Sequence, residues 1–287
     1  MRPACCAMIA ALGAAPFLPP AHCDGQTMRA LAASRTVGTA RSLHVDLDFS
    51  GGALLVVPAA PGTLYDMRLR YDAERYAPVQ QFDSATGRLQ LGLRSIGGLG
   101  IRVTSRRQLE QTARVEFAPD VPLDLSASVG TGDASIDLGG MALHQLEVQS
   151  TASHTTIDFS RPATGACQSA TFIVAASQIE VQHAAQAGCA LIRVRGGAGG
   201  ASLTFNGDWQ RDVAVDVDLA MGSFSLLVPR GTGVRVSGER FLAPLADSGF
   251  VRSGDNWTTP GYAAASHRVN VTLKASMVRI DVKWIGR

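Results

Sequence analysis

Three groups of side chains in this 287-residue sequence are spaced so that they could do chemistry together. Asp137, Asp158 and Glu180, put in register, form one outward acidic column. Like charges facing each other on neighbouring strands repel, so such a column calls for a cation, a basic neighbour or open solvent. Calcium, which takes oxygen ligands, is the cation it would suit, although no set of six oxygens is apparent. Cys167 and Cys189 lie one repeat apart, which stacks them about 5 Å from each other at the usual strand spacing. That separation is within reach of a disulfide in an oxidising compartment. Arg193 and Arg195 are followed one repeat later by Asp216 and Asp218, an arrangement that makes cross-strand pairs of structural rather than catalytic value.

Other familiar chemistry is missing. The histidines His44, His144, His154, His183 and His267 show no HExxH spacing, and no Gly-x-Ser-x-Gly elbow is present. Gly97 to Gly100 with Arg102, Arg106 and Arg107 lacks the Lys-Ser/Thr of a phosphate loop. Net charge is only +2, from 26 basic and 24 acidic side chains, which leaves no electrostatic footprint for nucleic acid. No cofactor is expected, and no catalytic residue.

What must position these groups is a repeat. Ile136, Ile157, Ile179, Leu203 and Leu226 mark successive units of about 21 to 24 residues. A period in this range signals a solenoid, in which one unit cannot bury its own apolar face and stacks on the next. Leu125, Leu146, Ala170, Ile192 and Val215 form one inward column, and Ala127, Val148, Phe172, Val194 and Val217 the next. Small-residue corners follow, such as Gly130-Thr-Gly132 and Gly197-Ala-Gly199. A second inward face then begins with the isoleucines and leucines named above. The fold expected is all-β, a single right-handed β-solenoid over 43–287. Its first strand is at Val45 and its last at Ile280. The insertion at 94–111 and the loop at 238–265 are the irregular parts.

Ahead of this lies a charge-free apolar run from Ala4 to Leu18, of signal-peptide length. Residues 1–23 read as a secretory signal and 24–42 as a flexible leader. A lipoprotein reading would acylate Cys23, with His22 where a small residue is usual.

With the repeats laid out, the sequence resembles the toast-rack family of bacterial cell-envelope proteins, which includes the C-terminal domain of LiaF-type cell-wall stress regulators. The resemblance is carried by Gly130-Thr-Gly-Asp-Ala-Ser-Ile-Asp-Leu-Gly-Gly140, Gly197-Ala-Gly199 and Met221 to Val236, and by Tyr262 to Leu273. It implies an envelope location and supplies no catalytic residues to carry over. Two features depart from the pattern: a signal segment stands where LiaF-type proteins have membrane helices, and the corners at Thr151 to Ser153 and Ala175 to Ser177 have lost their glycines.

The function expected is an exported, non-enzymatic binding or scaffolding module of the bacterial envelope, linked to envelope-stress sensing, periplasmic or at the cell surface. Its partner would be an envelope component or envelope protein, with membrane contact only through lipidation. The alternatives are a solenoid carbohydrate-active enzyme, of polysaccharide lyase or hydrolase type, and an adhesin-like surface protein.

Overall fold

The structure, a computed structural model, describes residues 27–96, 110–239, 249–254 and 256–286. The segment read as a signal, 1–23, and residues 97–109 of the insertion lie outside these. Described residues are all-β apart from short 3₁₀ turns, and among them no helix is long and apolar enough to cross a membrane.

Alternation of apolar and polar residues builds the central strands. These are β2 (Leu43–Pro58), β7 (Leu123–Asp137), β8 (Leu143–Thr151), β9 (Ser153–Asp158), β10 (Ser169–Gln182), β11 (Leu191–Thr204), β12 (Val213–Pro229) and β16 (Arg268–Ile285). They pair in parallel in the order β2, β7, β8 with β9, β10, β11, β12, β16. Each long strand bends at a corner in its middle, so its two halves belong to two faces. On the first face Val45, Leu125, Leu146, Ala170, Ile192, Val215 and Val271 are stacked partners. On the second face the column is Val56, Ile136, Ile157, Val181, Leu203, Leu226 and Val282. All of these are buried, and burying a side chain of this size stabilises the fold by about 1.5 to 3 kcal/mol.

The second column differs from the sequence expectation at one place. Val181, not Ile179, stands between Ile157 and Leu203; Ile179 faces Thr155 and Ala201. In the observed register, each second-face residue follows its first-face counterpart by the same interval of eleven (45 to 56, 125 to 136, 146 to 157, 170 to 181, 192 to 203, 215 to 226, 271 to 282). Length variation is therefore confined to the third, irregular side.

The corner between the faces brings backbones so close that a side chain has no room. Gly222, at φ +130°, has its missing Cβ directed onto the carbonyl oxygen of Gly199. Where the glycines are lost, Ala152 and Ala176 adopt left-handed backbone at φ 52° and 53°. A buried hydroxyl cluster replaces the missing geometry. The Ser150 hydroxyl meets Ser153 Oγ at 2.6 Å and Thr155 Oγ1 at 3.1 Å, and the Ser177 hydroxyl donates to the Ser150 carbonyl at 2.7 Å.

Both ends carry antiparallel additions. β1 (Met28–Thr36) pairs with β3 (Thr63–Asp72), β3 with β6 (Thr112–Phe117), and β4 (Tyr76–Asp83) with β5 (Arg88–Ser95). β5 and β6 divide one layer between them, lying parallel to the first and second halves of β2. The leader expected to be flexible thus contains an ordered edge strand, because Leu31 and Ala33 give β1 an apolar side that packs on the core. At the other end, β13 (Gly233–Glu239) adds a further parallel layer on the first half of β16, followed by β15 (Asn256–Thr258) and β14 (Val251–Ser253). The expected loop at 238–265 therefore holds a small hairpin, and the layer beginning at Val269 is not the last.

A disulfide joins Cys167 to Cys189, with Cα atoms 4.3 Å apart. Both cysteines are buried, and the bond ties the strand entries of β10 and β11 together. A closed loop of this length constrains the unfolded chain by about 3 kcal/mol. Replacing both cysteines by alanine is expected to lower unfolding free energy by that amount in urea titration. Gly222→Ala, which must move the Gly199 backbone, should lower it by about 2 to 4 kcal/mol, whereas the exposed Gly197→Ala should change it by less than 1 kcal/mol.

Candidate functional site

The regular outward side of the first face gathers charged groups near the N-terminal end of the stack. His44 and Asp46 stand on β2, Arg88 on β5, Asp124 and Ser126 on β7, and Gln145 and Glu147 on β8. The end of β4 contributes Asp83, and the turn that follows it contributes Thr86. Together they line an open groove of about 770 Å³. These side chains face solvent because their neighbours in the alternating strands, such as Val45 and Leu125, face the core.

Register places Asp83 opposite Arg88, Arg88 opposite His44, and His44 opposite Asp124, so two basic side chains stand between two acidic ones along one column. Asp124 is the centre of it. Its Oδ2 lies 2.9 Å from His44 Nδ1 and its Oδ1 lies 2.7 Å from His144 Nδ1. His144 reaches this position because the pairing of β7 with β8 shifts register between Leu123 and Asp124. A bulge of this kind re-aims a side chain that regular pairing would send elsewhere. Arg88 turns diagonally and donates from Nη2 to Asp46 Oδ2 at 2.7 Å.

Asp83 is held by the turn. The Ala85 amide and the Thr86 hydroxyl donate to its carboxylate at 2.9 and 2.8 Å. The Thr86 hydrogen bond, reinforced by that of Ala85, stabilises the charged form and lowers its pKa below the ordinary aspartate value. The ion pairs of Asp46 and Asp124 are solvent-exposed, and each is worth about 1 kcal/mol or less to the fold. Their geometry offers donors and acceptors on a rigid support, without a positioned nucleophile.

The acidic column anticipated on the second face is rearranged by the same register that moves Ile179. Asp137 and Asp158 are partners, but Gln182 stands next to Asp158, and Glu180 lies between Thr156 and Ser202. Each aspartate has its own neighbour: Ser160 Oγ donates to Asp137 at 2.8 Å, and His183 Nδ1 lies 2.6 Å from Asp158. His183 is held with left-handed backbone at φ 52°, and its amide donates to Asn206 Oδ1. Glu180 instead accepts from Gln178 Nε2 at 3.3 Å. Repulsion between Asp137 and Asp158 is thus relieved by hydrogen bonds. Among the described residues, no group of three or more His, Cys, Asp or Glu is arranged to hold a metal. Arg193 and Arg195 do stand opposite Asp216 and Asp218.

Sequence reasoning passed over the groove. Its signal was the pair of alternating runs Val45 to Phe49 and Leu123 to Val129, whose outward members share columns. Recognising it required knowing that β5, from a distant hairpin, lies against the outer side of β2.

Residues 25–167, which hold this groove, match the family described as the N-terminal domain of toast_rack, DUF2154. The chain belongs to the toast-rack family. Solved structures similar to this toast-rack chain include a Clostridium sporogenes protein provisionally named for cell adhesion, at 12% identity and TM-score 0.42, with 90% of this chain and 100% of that one covered. A provisionally named adhesin from Bacteroides fragilis matches at 11% identity and TM-score 0.40, over 90% and 97% of the two chains. No match is found among curated proteins.

Thr86→Ala removes the largest of the hydrogen-bond effects that favour ionised Asp83. Its pKa, followed by carboxyl NMR titration, should rise toward the ordinary value. Because the folded-state pKa is the lower one, the stabilisation of this turn is present above the usual aspartate range near pH 4 and is lost as pH falls through the folded value. The variant should show less acid sensitivity of that turn.

Proposed function

We propose that this toast-rack protein is an exported, non-enzymatic binding module of the bacterial envelope, built as a right-handed β-solenoid with units of 21 to 24 residues. The observation that carries this reading is the first-face groove: charged and polar groups from β2, β5, β7 and β8, fixed on a rigid parallel stack. Rigid elements hold recognition groups more closely than loops do, and the flat polar side suits an extended polar partner laid across the strands. The Cys167–Cys189 disulfide supports an oxidising location, outside the cytoplasm. Family membership supports the envelope. Non-specific nucleic-acid binding is disfavoured by the net charge of +2.

The working test is capture from envelope extract by residues 24–287, in parallel with a glycan array. Retention of a wall polymer or envelope protein that is weakened about tenfold in the double variant Asp124→Asn/Arg88→Gln, with melting temperature unchanged, would support the groove as the binding surface. Failure to retain anything on either support removes the reading. Release of reducing ends or unsaturated sugars from a retained glycan would replace it by the enzyme alternative.

A further inference from the structure

A second concave surface lies on the other outward face, formed by β1, β3, β6 and β2 at the end of the stack. It is an open trough of about 780 Å³, within the range of small-ligand sites, and its exposed lining is mainly apolar. Register explains its shape. Ala30, Arg70, Thr112 and Ala53 are stacked partners in one column, and Ala32, Arg68, Arg114 and Leu55 in the next. Ala30 and Ala32 on β1, and Ala53 and Leu55 on β2, therefore leave low apolar strips on either side of a middle strip that carries three guanidiniums.

Two of those guanidiniums are engaged by their own sheet. Arg68 Nε lies 3.2 Å from Asp66, and Arg114 Nε donates to Glu116 at 2.7 Å. Arg70, between Ala30 and Thr112 in its row, has no ion pair or hydrogen bond with any of the described residues. An unpaired guanidinium beside an apolar floor selects a ligand that carries an anionic oxygen group and a hydrocarbon portion at once. A guanidinium binds a carboxylate or phosphate by paired hydrogen bonds, and the floor is covered favourably by apolar chain.

We propose that this trough binds a single-chain anionic amphiphile, taken up as a free molecule, with its acidic group on Arg70 of β3 and its chain running across β6 over Ala53 and Leu55 of β2. The proposal is independent of the first-face groove. An acidic peptide would need a run of hydrogen-bonding partners, and apart from the arginines the outward lining offers only the Thr112 hydroxyl. A bilayer would present its headgroups first and leave the floor unused.

Isothermal titration of the full chain with dodecyl phosphate, kept below its critical micelle concentration, tests this directly. Saturable binding at one equivalent is expected, with dodecyl maltoside, dodecyltrimethylammonium and inorganic phosphate each about tenfold weaker or worse. Arg70→Gln and Leu55→Asp should each weaken dodecyl phosphate about tenfold, whereas Arg193→Gln, on the other face, should leave it unchanged. Arg70 is exposed and Leu55 half-buried on the outward side, and unchanged melting curves would show that both variants fold. Equal affinity for the neutral and anionic detergents overturns the proposal, as does full affinity in both trough variants. Binding to phosphatidylglycerol vesicles without binding to the monomer also overturns it, in favour of a membrane-surface contact.

Discussion

The parallel backbone ladder, continued from β2 through β16, is the constraint on which everything else depends. A parallel strand leaves one edge of its amide and carbonyl groups unpaired until the next layer arrives, so each layer is stable only through its neighbours. The ladder also demands that both halves of every bent strand keep step with the layer below. This is why the interval of eleven residues between the two inward columns never changes, while the third side absorbs whatever length remains. Shifting one layer by two residues, as placing Ile179 in the column would do, preserves which side faces inward but breaks that common interval.

The corner is the second consequence. Two faces can share a continuous strand only if the backbone turns within a few residues while stacked on an identical turn. Glycine meets this where the carbonyl of the layer below occupies the position of a Cβ, as at Gly222 over Gly199. The layers without glycine use a different solution. Ala152 and Ala176 accept left-handed backbone, and Ser150, Ser153, Thr155 and Ser177 supply buried hydroxyls that satisfy one another and the Ser150 carbonyl. A buried polar group without such a partner would cost about 1 to 3 kcal/mol, so the four hydroxyls stand or fall together.

Function follows from what the ladder leaves outside. Because inward positions are fixed by alternation, the outward ones stack into columns whatever their chemistry. On the first face this sets Arg88 and His44 between Asp83 and Asp124 in one column, leaving donors and acceptors for a partner. On the second face it brings Asp137 against Asp158, and Ser160 and His183 answer the repulsion. At the N-terminal end, alanines and Leu55 on β1 and β2 open low apolar strips beside the arginines of β3 and β6, a result of strand order rather than of any local motif.

The sequence by itself determined the all-β class, the two inward columns apart from one residue, the small-residue corners and the stacking of Cys167 near Cys189. Each of these depends on alternation or on a repeat period, which are local quantities written along the chain. It also placed Arg193 and Arg195 beside Asp216 and Asp218, since adjacent layers with regular spacing need no further information. Only the tertiary structure decided the second-face register at Val181, because an inward residue lies at both 179 and 181 and the choice belongs to the layers on either side. Only it could show β1 as an ordered edge strand, β5 and β6 sharing a layer, and β13 covering β16. Those pairings join segments far apart in sequence. The groove around Asp124 and the trough beside Arg70 are assembled from such distant strands, so their composition was legible residue by residue while their existence was not.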